Sequence, residues 1–435
     1  MIETLLLVNI LICFYSLKTF SIAAPNALSS FYITACLLSF YTITTMGLTK
    51  EMLFFTAMPI DEYGEKTFEI VLTYTFLNCL SLLFKKKKPL IQPHNKNFKI
   101  LKKLPRIKYT SVVIILLLLL NCVNLLHIAN LDTNILMSND DYLTIKTPDA
   151  IGITNDFFRI YHFLFRFIGA AMVIVLCDTI YQKKGVAMFL SSLYVGYCTL
   201  FLTAGASRWL AVYIALALLY VIIKKPRHKG VIITALIAAT FFSFLVVLMG
   251  RSSGNYGVSH LTDYLDEFKI KLIPVYITGI LVNIFEGVFN LANSIKLEPH
   301  FDLWYINHSF LPLPSFVDDF TSKINIFAWK FAPHVPMSAI SESYTFGIQW
   351  FAIYIILYFA FLKLSMRAFF TMQNASLRMA LMAPTYYILI AQHTYSLRTM
   401  IKPMIFLSIL FLYLSWKGKR SRSFSANPVA PRQLK

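Results

Sequence analysis

Charged residues are scarce in this sequence, and acidic residues are the scarcer kind. Asp, Glu, Lys and Arg together make up 14% of the 435 residues, whereas 57% are hydrophobic. A water-soluble domain of this length cannot bury so large an apolar fraction in one core. The composition therefore excludes an ordinary soluble protein and indicates a chain that is solvated by lipid.

The sequence also lacks the usual motifs for disulfides, zinc and calcium. Its cysteines all fall within apolar runs and none forms a Cys-x-x-Cys pair, and the acidic stretch 132–156 does not have EF-hand spacing. The first apolar run, 5–20, has neither a basic flank before it nor a small-residue cleavage site, so we expect a retained helix. We predict no metal site and no cofactor.

Apolar runs near the roughly 20 residues that cross a bilayer recur along the whole chain. They predict an all-α fold, a polytopic transmembrane helical bundle of about 11 to 12 spans. The predicted spans are 4–22, 28–48, 67–84, 110–129, 159–180, 187–204, 208–223, 231–249, 345–364, 379–394 and 401–416.

Basic residues outnumber acidic residues 40 to 21, which gives a formal net charge of +19. They cluster between the apolar runs, mainly in 85–108, 224–229, 363–378 and after residue 417. This bias is typical of cytoplasmic loops, so the loops that carry acids are predicted to face the other side. Because the basic residues do not line a groove with exposed aromatics, we expect no nucleic acid partner.

Residues 250–344 form the longest connection between predicted spans, and connections of this length usually carry function. The apolar stretch 270–292 within it is interrupted by Pro274 and Glu286, and a crossing there would invert the C-terminal tail. We therefore interpret it as an interfacial or re-entrant helix. The predicted regions are 1–249 with about eight spans, 250–344 as a large outward loop, 345–416 with about three spans, and 417–435 as a basic, disordered cytoplasmic tail.

Arginines near the outer ends of spans are candidates for binding a phosphate group, because the guanidinium offers a planar fork of donors that matches phosphate oxygens. Plainer interpretations are a side chain that snorkels to lipid headgroups, or pairing between helices. The candidates are Arg159 and Arg166 on one helix face, Arg208 in a Gly-Ala-Ser-Arg-Trp turn, Arg251 at the start of the long loop, Arg398 between the last two spans, and the neighbouring His393.

Histidines and acids of the long outward segment are candidates for a general base. Such a group must lie within hydrogen-bond reach of the proton that it removes, and a solvated loop residue is the plainer interpretation of each. The candidates are His308, Asp318, Asp319, His334 and Glu342, with His393 as a sixth. Aromatic side chains among them, including Trp304 and Tyr305, suit either sugar stacking or an interfacial belt.

The whole pattern resembles the bacterial O-antigen polymerase family (Wzy, oligosaccharide repeat unit polymerases). The resemblance rests on the aromatic-rich spans, the turn at Arg208, the long outward segment, and Ser341-Glu-Ser-Tyr-Thr-Phe-Gly347 before the next span. It implies a GT-C-like, metal-independent glycosyltransferase in the bacterial inner membrane with an active site facing the periplasm.

The resemblance also implies substrates and partners. The growing polysaccharide on undecaprenyl pyrophosphate would be transferred onto a new lipid-linked repeat unit, with membrane lipid and a chain-length regulator protein as partners. The family's outward-loop arginines would correspond to Arg208 and Arg251.

Two other functions fit the same sequence. A flippase or transporter for lipid-linked oligosaccharides would also need cationic residues near a cavity, although transporters usually show internal repeats and charges in several mid-membrane helices. An O-antigen ligase would share the predicted architecture and the arginines.

Overall fold

The computed structural model describes residues 1–45, 66–84, 169, 172–182, 185–204, 209–226, 228–253, 268–312, 330–332, 335–371 and 375–423. Its helices are α1 (Ile2–Thr19), α2 (Pro25–Thr45), α3 (Thr67–Cys79), α4 (Met172–Tyr181), α5 (Gly185–Ala204), α6 (Trp209–Lys224), α7 (Lys229–Ser253), α8 (Ile273–Leu297), α9 (Leu303–Phe310), α10 (Ala339–Thr345), α11 (Ile348–Thr371), α12 (Ala375–Ala391) and α13 (Leu397–Ser423). Two short strands, β1 (Lys330–Ala332) and β2 (Val335–Pro336), pair antiparallel.

The prediction of a helical fold with apolar helices is confirmed for the described residues. Within the part of the chain that the structure describes, three helices are long and apolar enough to cross a membrane, Ile2–Thr19, Pro25–Thr45 and Ile348–Phe370. Shorter apolar helices accompany them, including α6 and α12. The predicted span 110–129 and most of the span 159–180 lie outside the described residues.

Several helices run past the ends that hydropathy predicted. Helix α7 reaches Ser253 instead of 249, α11 reaches Thr371 instead of 364, and α13 reaches Ser423 instead of 416. Arg251 therefore lies in the last turn of a helix rather than at the start of a loop, and the predicted disordered tail begins as helix. The physical reason is that Lys and Arg are good helix formers, so a basic residue ends an apolar run without ending the helix.

The outer faces of the long helices are apolar. On α1, Leu7, Leu11 and Phe14 are 55%, 59% and 67% exposed, and their spacing places them along one side of the helix. Monomeric soluble proteins rarely expose a continuous stripe of large apolar side chains to water. The exposed stripe is consistent with association with a membrane.

Buried polar side chains join the first three helices. The Asn9 side-chain amide donates to Thr75 Oγ1 at 2.7 Å, and the Asn78 amide donates to Asn9 Oδ1 at 2.8 Å and to Thr34 Oγ1 at 3.2 Å. Side-chain hydrogen bonds between helices are a typical feature of bundles that pack in lipid.

Contacts between helices define two ends of this bundle. At one end, the last turn of α1 meets the residues that follow α3 (Ser16 to Ser81, 3.3 Å), and Phe20 contacts Phe370. At the other end, Tyr344 just before α11 donates to Glu69 in the first turn of α3. Ser81 and Phe370 thus lie at one end of these helices, and Glu69 and Tyr344 lie at the other.

The interrupted stretch 270–292 forms most of one 25-residue helix, α8. Pro274 is accepted because it lies in the first turn, where no backbone donor is needed. The helix kinks at Phe285 (φ −109°, ψ 19°), and the Ile284 carbonyl there accepts a hydrogen bond from the Tyr32 hydroxyl at 2.5 Å. Helix α8 packs against α2, α7 and α10, and therefore lies within the bundle.

Candidate functional site

Helix α10 is a short buried helix that places Glu342 inside the bundle. Ser338 caps its first turn, because its hydroxyl oxygen accepts the Ser341 N–H at 3.1 Å. The Ala339 N–H donates to the Gln392 carbonyl at 3.0 Å, which holds α10 against the turn between α12 and α13.

The Glu342 carboxylate is enclosed, at 3% exposure, and both of its oxygens accept hydrogen bonds. The Tyr305 hydroxyl of α9 donates to Oε1 at 3.1 Å, and the Leu397 N–H at the start of α13 donates to Oε2 at 2.6 Å. Burial raises the pKa of the Glu342 carboxyl to about 7, and the bonds from Leu397 and Tyr305 offset only part of that rise.

Helix α9 presents His308 with a defined tautomer. Asp302 caps the helix, since its carboxylate accepts the Tyr305 N–H at 2.7 Å. The His308 ring stacks on Trp304, with 4.2 Å between ring centroids, and His308 Nδ1 lies 2.8 Å from the Trp304 carbonyl. Because a carbonyl can only accept, Nδ1 is the donor, and in the neutral ring Nε2 carries the lone pair. The residue is half-buried.

Arg398 joins this histidine to the first turn of α13. Its Nη1 donates to the His308 carbonyl at 2.5 Å, and the residue is 5% exposed. One of the five guanidinium donors is used in this bond. A positive side chain beside a helix N-terminus, where backbone N–H groups point outward, produces a field that favours an anion.

His393 lies five residues before Arg398, but its ring is enclosed. It packs between Tyr32 and Tyr74, with ring centroids 5.0 and 5.5 Å away, and it is 1% exposed. Nδ1 lies 3.3 Å from the Tyr74 hydroxyl, and Nε2 has no hydrogen-bond partner within the described part of the chain.

Close approach of α8 encloses this histidine. A Cβ on Gly287 would overlap the His393 carbonyl oxygen and Cβ, so only glycine allows the two backbones to pack here.

The structure brings together three residues that the sequence predicted separately, His308, Glu342 and Arg398, around the start of α13. The backbone of Arg251 lies in the last turn of α7. The other predicted residues, Arg159, Arg166, Arg208, Asp318, Asp319 and His334, lie outside the described residues. The sequence placed Tyr305 among aromatic side chains suited to sugar stacking or to an interfacial belt, whereas it is 3% exposed and bonds to Glu342.

The described residues hold no group of three or more His, Cys, Asp or Glu side chains that could bind a metal ion. Comparison of the chain with protein-family models, with curated proteins and with solved structures finds no match.

Proposed function

We propose that this chain is an O-antigen polymerase, a multi-pass glycosyltransferase that joins lipid-linked repeat units at the periplasmic face of the bacterial inner membrane. The observation that carries the proposal is the contact between His308 and Arg398, which come from distant parts of the sequence. One offers an imidazole lone pair and the other a guanidinium at a helix N-terminus.

The proposed reaction uses both groups in one step. The acceptor sugar hydroxyl forms a new C–O bond to the anomeric carbon of the donor, and the bond from that carbon to the pyrophosphate oxygen breaks. The hydroxyl proton passes to His308 Nε2 as general base. Arg398 and the N-terminus of α13 stabilise the charge that develops on the departing undecaprenyl pyrophosphate.

The remaining predictions belong to the same proposal. The chain would form a GT-C-like bundle of about 11 to 12 spans. The end of the bundle that contains His308 and Arg398 would face the periplasm. Arg208 and Arg251 would add further positive charge to the pyrophosphate site, and a chain-length regulator would act as partner.

Deletion of the gene tests the proposed function against its rivals. A polymerase deletion leaves lipopolysaccharide whose core carries a single repeat unit, without a ladder on a silver-stained gel. Bare core with unpolymerised lipid-linked units would indicate a flippase instead, and bare core with long lipid-linked polymer would indicate a ligase.

Substitution of Arg398 tests the site. We expect Arg398→Ala to lower polymer formation by about a hundredfold and Arg398→Lys to restore little, since lysine keeps the charge but loses the fork of donors. Arg367→Ala is the matched control, because Arg367 is exposed on α11. It lies near Phe370, at the end of α11 that is farther from Tyr344 and the site. A normal ladder from Arg398→Ala would remove this residue from the mechanism.

A further inference from the structure

The enclosed Glu342 carboxylate joins two helices that each carry a residue of the proposed site. Its Oε1 accepts from Tyr305 on α9, and its Oε2 accepts from Leu397 at the start of α13. His308 lies three residues after Tyr305 on the same helix, and Arg398 directly follows Leu397.

A second connection between the same two helices runs beside the first. Arg398 Nη1 donates to the His308 carbonyl at 2.5 Å. The separation of the two site residues is therefore set by one direct hydrogen bond and by one path through Glu342.

The hydrogen bonds of the carboxylate argue against a role as the base. Both Glu342 oxygens already accept a hydrogen bond, one from Tyr305 and one from Leu397. A general base must reach the proton of the acceptor hydroxyl directly or through one water. His308 is half-buried and its Nε2 carries a lone pair, so it meets this requirement better.

We propose that Glu342 is a positioning residue, which fixes α9 against α13 through its two hydrogen bonds and thereby sets the distance between His308 and Arg398. This inference rests on the proposed function. It assigns to Glu342 a role in which hydrogen-bonding geometry is needed and negative charge is not.

The chemistry of glutamine makes the inference testable. In Glu342→Gln, the amide oxygen can accept from the Leu397 N–H, and the amide NH2 can donate to the Tyr305 hydroxyl oxygen. Glu342→Asp retracts the carboxylate by one methylene, so the two bonds cannot both form. Tyr305→Phe removes one of the two bonds and leaves the carboxylate in place.

The test is polymerisation by the purified full-length protein in detergent, with undecaprenyl-pyrophosphate-linked repeat units as substrate. We expect Glu342→Gln to keep kcat within about threefold of the unsubstituted protein, whereas Glu342→Asp and Tyr305→Phe lower kcat by about tenfold, with little change in KM. Glu298→Gln, at an exposed site after α8, is the control for the same chemical change.

Two results would overturn the inference. Loss of kcat in Glu342→Gln equal to that in Glu342→Asp would show that ionisation of the side chain is needed. Full activity of Glu342→Asp would show that the two bonds do not set the geometry of the site.

Thermal unfolding of the same variants separates this inference from the proposed function. The order of melting temperatures, with glutamine above aspartate, is expected whatever reaction the protein performs. If the deletion strain refutes a polymerase while this order holds, the proposed function fails and the connection between α9 and α13 stands. If the order fails, the inference fails on its own.

Discussion

One buried titratable side chain, Glu342, should make the stability of this protein depend on pH. Burial raises the pKa of Glu342 from 4.5 to about 7, because the folded protein favours the neutral acid. Its contribution to stability is fully present below pH 4.5 and is lost as the pH rises through about 7.

Between pH 4.5 and 7 the folded state holds one proton on Glu342 that the unfolded state has released. The free energy of unfolding therefore falls by about 1.4 kcal/mol per pH unit. Over the whole window the loss amounts to about 3 kcal/mol.

Substitution of Glu342 should remove this pH dependence. In Glu342→Gln the side chain does not titrate, so stability relative to the unsubstituted protein should rise by about 3 kcal/mol from pH 4.5 to about 7. Denaturant unfolding of the purified protein in detergent, followed at several pH values, measures the difference. A curve of stability against pH for Glu342→Gln that runs parallel to that of the unsubstituted protein would refute the reasoning.

Three further predictions concern packing and buried polar contacts. Gly287→Ala should destabilise the fold because a Cβ there overlaps His393, whereas Gly196→Ala, where a Cβ meets nothing within 4 Å, should be neutral or slightly stabilising; melting temperatures compare the two. Asn9→Leu should cost about 1–3 kcal/mol in denaturant unfolding, since the buried polar partners of Asn9 on α3 lose a hydrogen bond. Asp178→Leu should cost a similar amount, because Asp178 accepts the Tyr220 hydroxyl at 2.7 Å while 1% exposed; an unchanged unfolding midpoint would contradict either expectation.

Hydropathy was a sound guide to where the helices lie and a poor guide to where they end. Apolar runs predicted α1, α2 and α11 because a helix in lipid must be apolar over most of its length. The ends of α11 and α13 were misplaced, because Lys and Arg leave the apolar pattern while they continue the backbone hydrogen bonds.

For the candidate site, the sequence predicted the residues but not the contacts between them. His308, Glu342 and Arg398 could be selected as polar residues of segments that the charge pattern predicts to face outward. That the Glu342 carboxylate bonds to Tyr305 and Leu397 depends on packing between helices distant in sequence, which no local pattern encodes. The enclosure of His393 by α8 was likewise invisible, although Gly287 was a signal that two backbones approach closely.

In the proposed function, His308 and Arg398 form the working site of a glycosyltransferase acting on lipid-linked sugars. The most direct measurement uses the purified protein in lipid vesicles with undecaprenyl-pyrophosphate-linked repeat units, and counts glycosidic bonds formed and undecaprenyl pyrophosphate released. We predict one pyrophosphate carrier released per bond, and a rate that is lower by about a hundredfold or more in His308→Ala. Absence of polymer with the unsubstituted protein, or an unchanged rate in His308→Ala, would contradict the claim.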